Sequence, residues 1–163
     1  MKKLLFMLLF TSAVAFTTYA QKLPALDRYD LETEEGAIDA DSIALPVADY
    51  LFKVPAIKDD PTRLRAMSFL NKWMEETPSF EFILDEDIMA NFEDDKDLTD
   101  LYMAALTKYQ LQNPDIEDDR KISIGALKIL LDYADNDDNY VLLRDDMNRL
   151  MSAYKDGRLE QAL

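Results

Sequence analysis

The sequence predicts an all-α domain, and three observations lead there. Four long stretches repeat apolar residues at spacings of three and four. Capping residues and Pro or Gly punctuate their ends. No two alternating runs are joined by a hairpin turn.

Ahead of that domain, Met1-Lys2-Lys3 makes a short basic head, and Leu4 to Phe16 an apolar run interrupted by Thr11 and Ser12. Thr18-Tyr19-Ala20 closes it with a small residue before Gln21. This is the order of a secretory signal peptide over residues 1–20, with cleavage expected after Ala20. A spanning helix needs about 20 apolar residues; this run is shorter and broken. There is no Cys to carry a lipid at the new N-terminus. The mature chain is therefore expected in the periplasm or outside the cell, with no membrane span after cleavage.

Residues 21–45 are acidic, with Asp27, Asp30, Glu32, Glu34, Glu35, Asp39 and Asp41, and show little apolar periodicity. They are expected to form a flexible, solvated leader. Residues 46–163 are expected to form a single helical domain. Val47 to Phe52 reads as a short helix that ends before Pro55. Asp60 and Pro61 open the first long helix as cap and first helical residue. Its expected inner face is Leu64, Met67, Leu70, Trp73 and Met74, and Thr77-Pro78 stops it.

Phe80 and Phe82 then alternate with Glu81 and Ile83, and as a lone extended stretch they are expected to plug a helical core. Asp85 caps a short helix with Ile88, Met89 and Phe92. Asp97 is expected to cap the second long helix, whose stripe is Leu98, Leu101, Tyr102, Ala105, Leu106 and Tyr109. The third runs from about Asp119 to Ala134, with Ile122, Ala126, Leu127, Leu130 and Leu131 inward. Gly125 inside it costs about 1 kcal/mol relative to Ala, which a close helix contact would explain. The fourth runs from about Tyr140 to Asp156, with Leu143, Met147, Leu150, Met151 and Tyr154 inward, and Gly157 terminates it. The whole is a bundle of four main amphipathic helices plus short ones.

Removing residues 1–20 from the 163 leaves 143, which suits one domain. It also removes two Lys and no acid, so the net charge goes from −15 to −17. Such a surface repels phosphate backbones, so nucleic acid is excluded as a partner. Anionic membrane surfaces are disfavoured for the same reason. Without His or Cys, the Ser-His-Asp and Cys-His mechanisms are impossible. A structural zinc site is disfavoured too, which leaves hard cations on oxygen ligands. Gly36, Gly125 and Gly157 lie too far apart to build a phosphate loop.

The stretches Lys72-Trp73-Met74-Glu75-Glu76-Thr77-Pro78-Ser79-Phe80-Glu81-Phe82 and Leu101-Tyr102-Met103-Ala104-Ala105-Leu106-Thr107-Lys108-Tyr109 resemble small exported helical proteins of Gram-negative bacteria. That resemblance implies export and a helical fold, and it carries over no site residues. Tyr154-Lys155-Asp156-Gly157-Arg158-Leu159-Glu160-Gln161-Ala162 is similar to the turn region of a tetratricopeptide repeat. A single repeat cannot bury its own face, so a plain helix stop at Gly157 explains the pattern better.

Several constellations invite chemistry. Ser152-Ala153-Tyr154-Lys155 matches S-x-x-K, but the partner motifs of that chemistry are missing. Asp85 with Asp87, or Asp94 with Asp97, could be drawn as a glycosidase pair, though 33 acids make some pair inevitable. Met147 and Met151 are one turn apart, yet Met on an apolar stripe is ordinary core filler. The stripes with Trp73, Tyr102 and Tyr109 could line a pocket for a small apolar ligand instead of a filled core. Asp41-Ser42-Ile43 resembles an acceptor for O-glycosylation in exported bacterial proteins, which makes Ser42 a candidate modification site.

The sharpest candidate is a calcium loop. Counting from Asp135, Asp137 and Asn139 fall at its third and fifth positions, and Asp146 at its twelfth. Val141 would give the seventh-position carbonyl and Leu142 the apolar eighth residue. Tyr140 stands where Gly normally turns, and Asp146 replaces the usual Glu. An ordinary helix connection with a capping Asp or Asn accounts for the same residues. The expected function is thus non-catalytic: an exported helical module that binds a protein or envelope component. A weak Ca²⁺ module, or a carrier of a small apolar ligand, is the alternative.

Overall fold

The computed structural model describes residues 22–92 and 95–163, and every regular element among them is helical. The α-helices are α1 (Glu34–Leu51), α2 (Pro61–Glu76), α3 (Glu86–Met89), α4 (Lys96–Gln112), α5 (Asp119–Ala134), α6 (Asp145–Lys155) and α7 (Leu159–Ala162). Single 3-10 turns occupy Leu26–Arg28 and Asp137–Asn139. The signal peptide read over residues 1–20, its cleavage point before Gln21, and Asp94 lie outside the described residues. No described helix is long and apolar enough to cross a membrane.

The largest departure from the sequence reading is α1. The flexible leader expected over residues 21–45 is instead folded from Lys22, and α1 runs straight through the boundary expected at Pro46. The reason is the size of its inward residues. Ala37, Ala40, Ala44, Val47, Ala48 and Leu51 are fully buried at helical spacing. Mostly alanine, this stripe carries little hydrophobic signal against the acids on the other faces. Thr33 caps the helix by accepting from the Gly36 N–H at 3.1 Å. Pro46 lies inside the helix on its exposed side, where it removes the N–H that would bond the Ser42 carbonyl. Asp41, read as a solvated acid, accepts from Trp73 Nε1 at 2.8 Å and Thr77 Oγ1 at 3.0 Å. It pins α2 to α1.

Helix α2 opens as expected, with Asp60 accepting from the N–H groups of Thr62 and Arg63, both at 2.8 Å. Its buried face is rotated from the expected one: Arg63, Ala66, Phe69, Leu70 and Trp73 are buried, while Leu64 is exposed. The α1 surface facing it is made of small residues, and Ala66 and Phe69 fit there. Phe80 and Phe82 plug the core as expected, each ring 5.7 Å from that of Trp73. Asp85 caps α3 through the Ile88 N–H. The cap of α4 is Asp95, not the expected Asp97, and it accepts from Leu98 N–H at 3.1 Å.

Helix α4 is the wall shared by two apolar clusters. Its Leu101, Tyr102 and Ala105 join α5 and α6, and its Ala104 joins α1 and α2. The Lys108 ammonium reaches Asp49 on α1 in a partly buried ion pair. The close helix contact expected at Gly125 is present, and its partner is α4: the Tyr109 ring lies against the space a side chain would fill. The fourth long helix begins later than expected, at Asp145 rather than Tyr140. It stops as expected: Gly157 has φ +70°, with its N–H bonded to Tyr154 O at 3.0 Å and Arg158 N–H to Ala153 O at 2.8 Å.

Two substitutions test this packing. Gly→Ala in a helix normally stabilises by roughly 0.5–1 kcal/mol. At Gly36, however, a Cβ would fall 2.0 Å from the Asp30 backbone carbonyl oxygen. Gly36→Ala is expected to destabilise by about 1–3 kcal/mol, because backbone must move. Urea unfolding that shows a gain would refute the α1 entry geometry. Arg63→Met keeps the aliphatic stem but strips the Leu51 carbonyl of its partner. It is expected to cost about 1.5–3 kcal/mol, seen as a lower urea midpoint with an unchanged slope.

Candidate groove between the α1–α2 loop and the segment before α6

A groove of about 480 Å³ opens where four segments meet: the loop after α1, α2, the start of α4, and the segment before α6. Met67, Leu98 and Leu101 line its inner part. Around it stand Ile57, Leu64, Tyr140 and Leu142, which are 51%, 55%, 66% and 86% exposed. These are four of the large apolar side chains that the fold leaves in water, gathered at one place.

Each wall has a local cause. Pro55 and the Pro61 start of α2 confine the loop between them, and Arg63 fixes its base by donating to Leu51 O at 2.6 Å and Val54 O at 3.4 Å. Ala56 N–H then bonds Asn139 O at 2.9 Å, tying the loop to the far wall. In that wall Asn136 caps the 3-10 turn by accepting from Asp138 N–H at 3.1 Å, and Asn139 Nδ2 donates to Tyr133 O at 2.8 Å. Tyr140 follows at φ +56°, a conformation that favours glycine. This turns Tyr140-Val141-Leu142-Leu143 out of the helix expected there, and α6 restarts only at Asp145.

Charges stand along the rim. Asp95, Asp97 and Asp100 lie on the α4 side, and Lys58 and Arg144 on the opposite walls. Lys58 and Asp97 approach to 3.6 Å, and Arg144 and Asp95 to 3.3 Å, so two ion pairs span the groove. Behind it, burial pushes the Tyr133 hydroxyl up against the opposing charge of Arg63. That hydroxyl donates to Val54 O at 2.5 Å.

The residues of the calcium scheme are placed as follows. Asp135 ends α5 and pairs with Lys155, beside a Tyr154 hydroxyl that donates to Asp132 at 2.6 Å. The hydrogen bond to Asp132, with burial, pushes Tyr154 up to about 12. Asp137 is exposed in the 3-10 turn, Asn139 is engaged with Tyr133, and Asp146 sits in the first turn of α6. Tyr140 takes the backbone turn that such a loop requires at its sixth position. Among the described residues, no three acidic side chains are gathered as around a metal.

Ser42, expected on a flexible leader, stands exposed on α1 with its Oγ donating to Asp39 O at 3.3 Å. Arg120 sits between the Asp85 and Asp87 carboxylates of the glycosidase-like pair. Burial works to raise Asp85, but Arg120 and the Ile88 N–H outweigh it and hold that carboxyl below its usual range. A general acid needs the reverse. Of the S-x-x-K pair, Ser152 is exposed on α6 and Lys155 is held by Asp135. Met147 is fully buried with Leu130, Leu131 and Leu150 in one cluster, and Met151 lies at its edge.

No protein family, curated protein or solved structure matches this chain. The groove residues were not singled out as a site by sequence reasoning: Leu64 was placed inward, and Tyr140 and Leu142 were assigned to a metal loop. One signal was present. Four consecutive apolar residues, 140–143, cannot all face inward from one helix.

Because Leu64 and Leu142 are exposed, replacing them should leave the fold alone. Leu64→Ser and Leu142→Ser are each expected to change unfolding free energy by less than about 0.5 kcal/mol. A loss of several times that in urea unfolding would mean these side chains hold the fold rather than a surface for binding.

Proposed function

We propose that the mature chain is an exported, non-catalytic helical-bundle module that binds a protein component of the cell envelope or exterior through this groove. The observation that carries the reading is the gathering of Ile57, Leu64, Tyr140 and Leu142, exposed, around one concave surface. Apolar side chains scattered singly on a surface mean little, whereas a contiguous patch with a polar rim is the usual form of a binding site. The concavity lies between loops and helix ends rather than inside the helical core. There Trp73, Tyr102, Leu106, Leu127 and Leu130 are fully buried, which favours a macromolecular partner over a small carried ligand. Its rim carboxylates stand in ion pairs, Asp97 with Lys58, Asp95 with Arg144 and Asp100 with Lys96, so the groove offers contact surface rather than a poised acid or base. The basic-apolar-small order of residues 1–20 supports export.

Site-specific photo-cross-linking in the producing cells tests the reading. A photoreactive residue at Leu142 or Leu64 is expected to give a discrete protein adduct, and the same residue at Ile38 on α1 is not. Leu64→Asp should abolish the Leu142 adduct. Equal labelling from all three positions would remove the groove as the binding surface.

A further inference from the structure

We infer that the occupant of the groove is a basic amphipathic protein segment, with apolar side chains entering between Leu64 and Leu142 and flanking Lys or Arg meeting the α4 carboxylates. This rests on the proposal that the groove is a binding surface, and it names the chemistry of the partner.

Two properties of the molecule lead to it. The first is the shape and lining of the groove. Leu64 and Met67 from α2, Leu98 and Leu101 from α4, and Tyr140 and Leu142 from the opposite wall enclose about 480 Å³. That volume suits a few side chains. The second is charge. With residues 1–20 removed, the net charge goes from −15 to −17, because only Lys2 and Lys3 are lost. At the groove itself Asp95, Asp97 and Asp100 are balanced by Lys58, Arg63 and Arg144, so the sign of the field is set by the chain as a whole. The Lys58–Asp97 pair is held with side chains 80% and 73% exposed. Pairs so exposed contribute little to stability, so an incoming cation replaces Lys58 at small cost. A partner carboxylate would meet the negative field of the whole chain, which acts over about a Debye length of 8–10 Å. Complementary charge also raises the rate of encounter, which an acidic partner would forgo.

The test uses the mature full-length chain with three synthetic peptides. One is a short amphipathic peptide of Leu and Lys, one has Glu in place of each Lys, and one is Lys and Ser without Leu. Binding is read by calorimetry at two salt concentrations, beside sedimentation of the protein alone. The Leu/Lys peptide is expected to bind one to one, and the Leu/Glu peptide not at all. Leu64→Ser combined with Leu142→Ser should weaken Leu/Lys binding by roughly tenfold or more. Asp97→Asn combined with Asp100→Asn should weaken it several-fold and flatten its salt dependence. Circular dichroism confirms that both double variants keep the helical fold.

Equal binding of the Leu/Glu peptide would overturn the basic partner while leaving the groove as an apolar binding site. Undiminished Leu/Lys binding after the double Leu change, or equal binding of the Lys/Ser peptide, would assign the effect to diffuse surface charge. Either result would overturn both readings. A dimer that disappears in the double Leu variant would assign the groove to a second copy and overturn the basic partner. No binding of the Leu/Lys peptide overturns it as well.

Discussion

Arg63 is 8% exposed, and the end of α1, the loop after it and α5 converge on its guanidinium. It donates to Leu51 and Val54 at the C-terminal end of α1, where the last turn has no basic residue of its own and Phe52 ends the helix. The positive charge satisfies orphan carbonyls and complements the negative end of the helix dipole. The same group lies 5.8 Å from the Tyr133 ring centre on α5, and Tyr133 in turn packs edge-on against Phe52 with ring centres 5.2 Å apart. One side chain from the first turn of α2 therefore ends α1, sets the path of the following loop, and joins both to α5. A buried Arg is costly unless its donors are used. Here the carbonyls that need donors stand beside it.

That constraint also shapes the groove. The loop held by Arg63 becomes one wall, and its bond to Asn139 sets the distance to the other. Turning the base of α2 to bring Arg63 inward turns Leu64 outward, since adjacent helical residues point about 100° apart. The exposed Leu64 is thus a geometric consequence of the buried Arg63. Leu142 is outward for an analogous reason, because the positive φ of Tyr140 breaks the approach to α6 and leaves residues 141–143 outside any helix. A surface with four exposed apolar groups invites self-association. The strong net negative charge of the chain opposes it.

How much of this was legible depends on what kind of residue carries the signal. Helix α5 was legible at both ends, because Asp118 caps it and large apolar residues mark its face. The Asp60-Pro61 start and the Gly157 stop were legible because each rests on the backbone preference of a single residue. Helix α1 was legible only at its end, where Val47 to Phe52 reads as helix; before that its buried stripe is alanine and its acids dominate any average over a window. The rotation of α2 was not, since nothing local says that Arg63 has carbonyl partners about ten residues earlier in the chain. The groove was illegible for a stronger reason. It is assembled from residues 56–67, 95–101 and 140–144, and no single window contains a site made by the meeting of three. Only the run 140–143 hinted at it.

The alanine stripe of α1 also sets the order in which the chain becomes structured. A helix whose inner face is mostly methyl groups gains little by forming alone. Its partners are the Trp73 region of α2 and Ala104 of α4, some thirty to sixty residues further along. Loop-closure entropy must be met before those contacts return any stabilisation. As the polypeptide emerges from the ribosome, α1 therefore gains its packing only once α2, and then α4, have followed it.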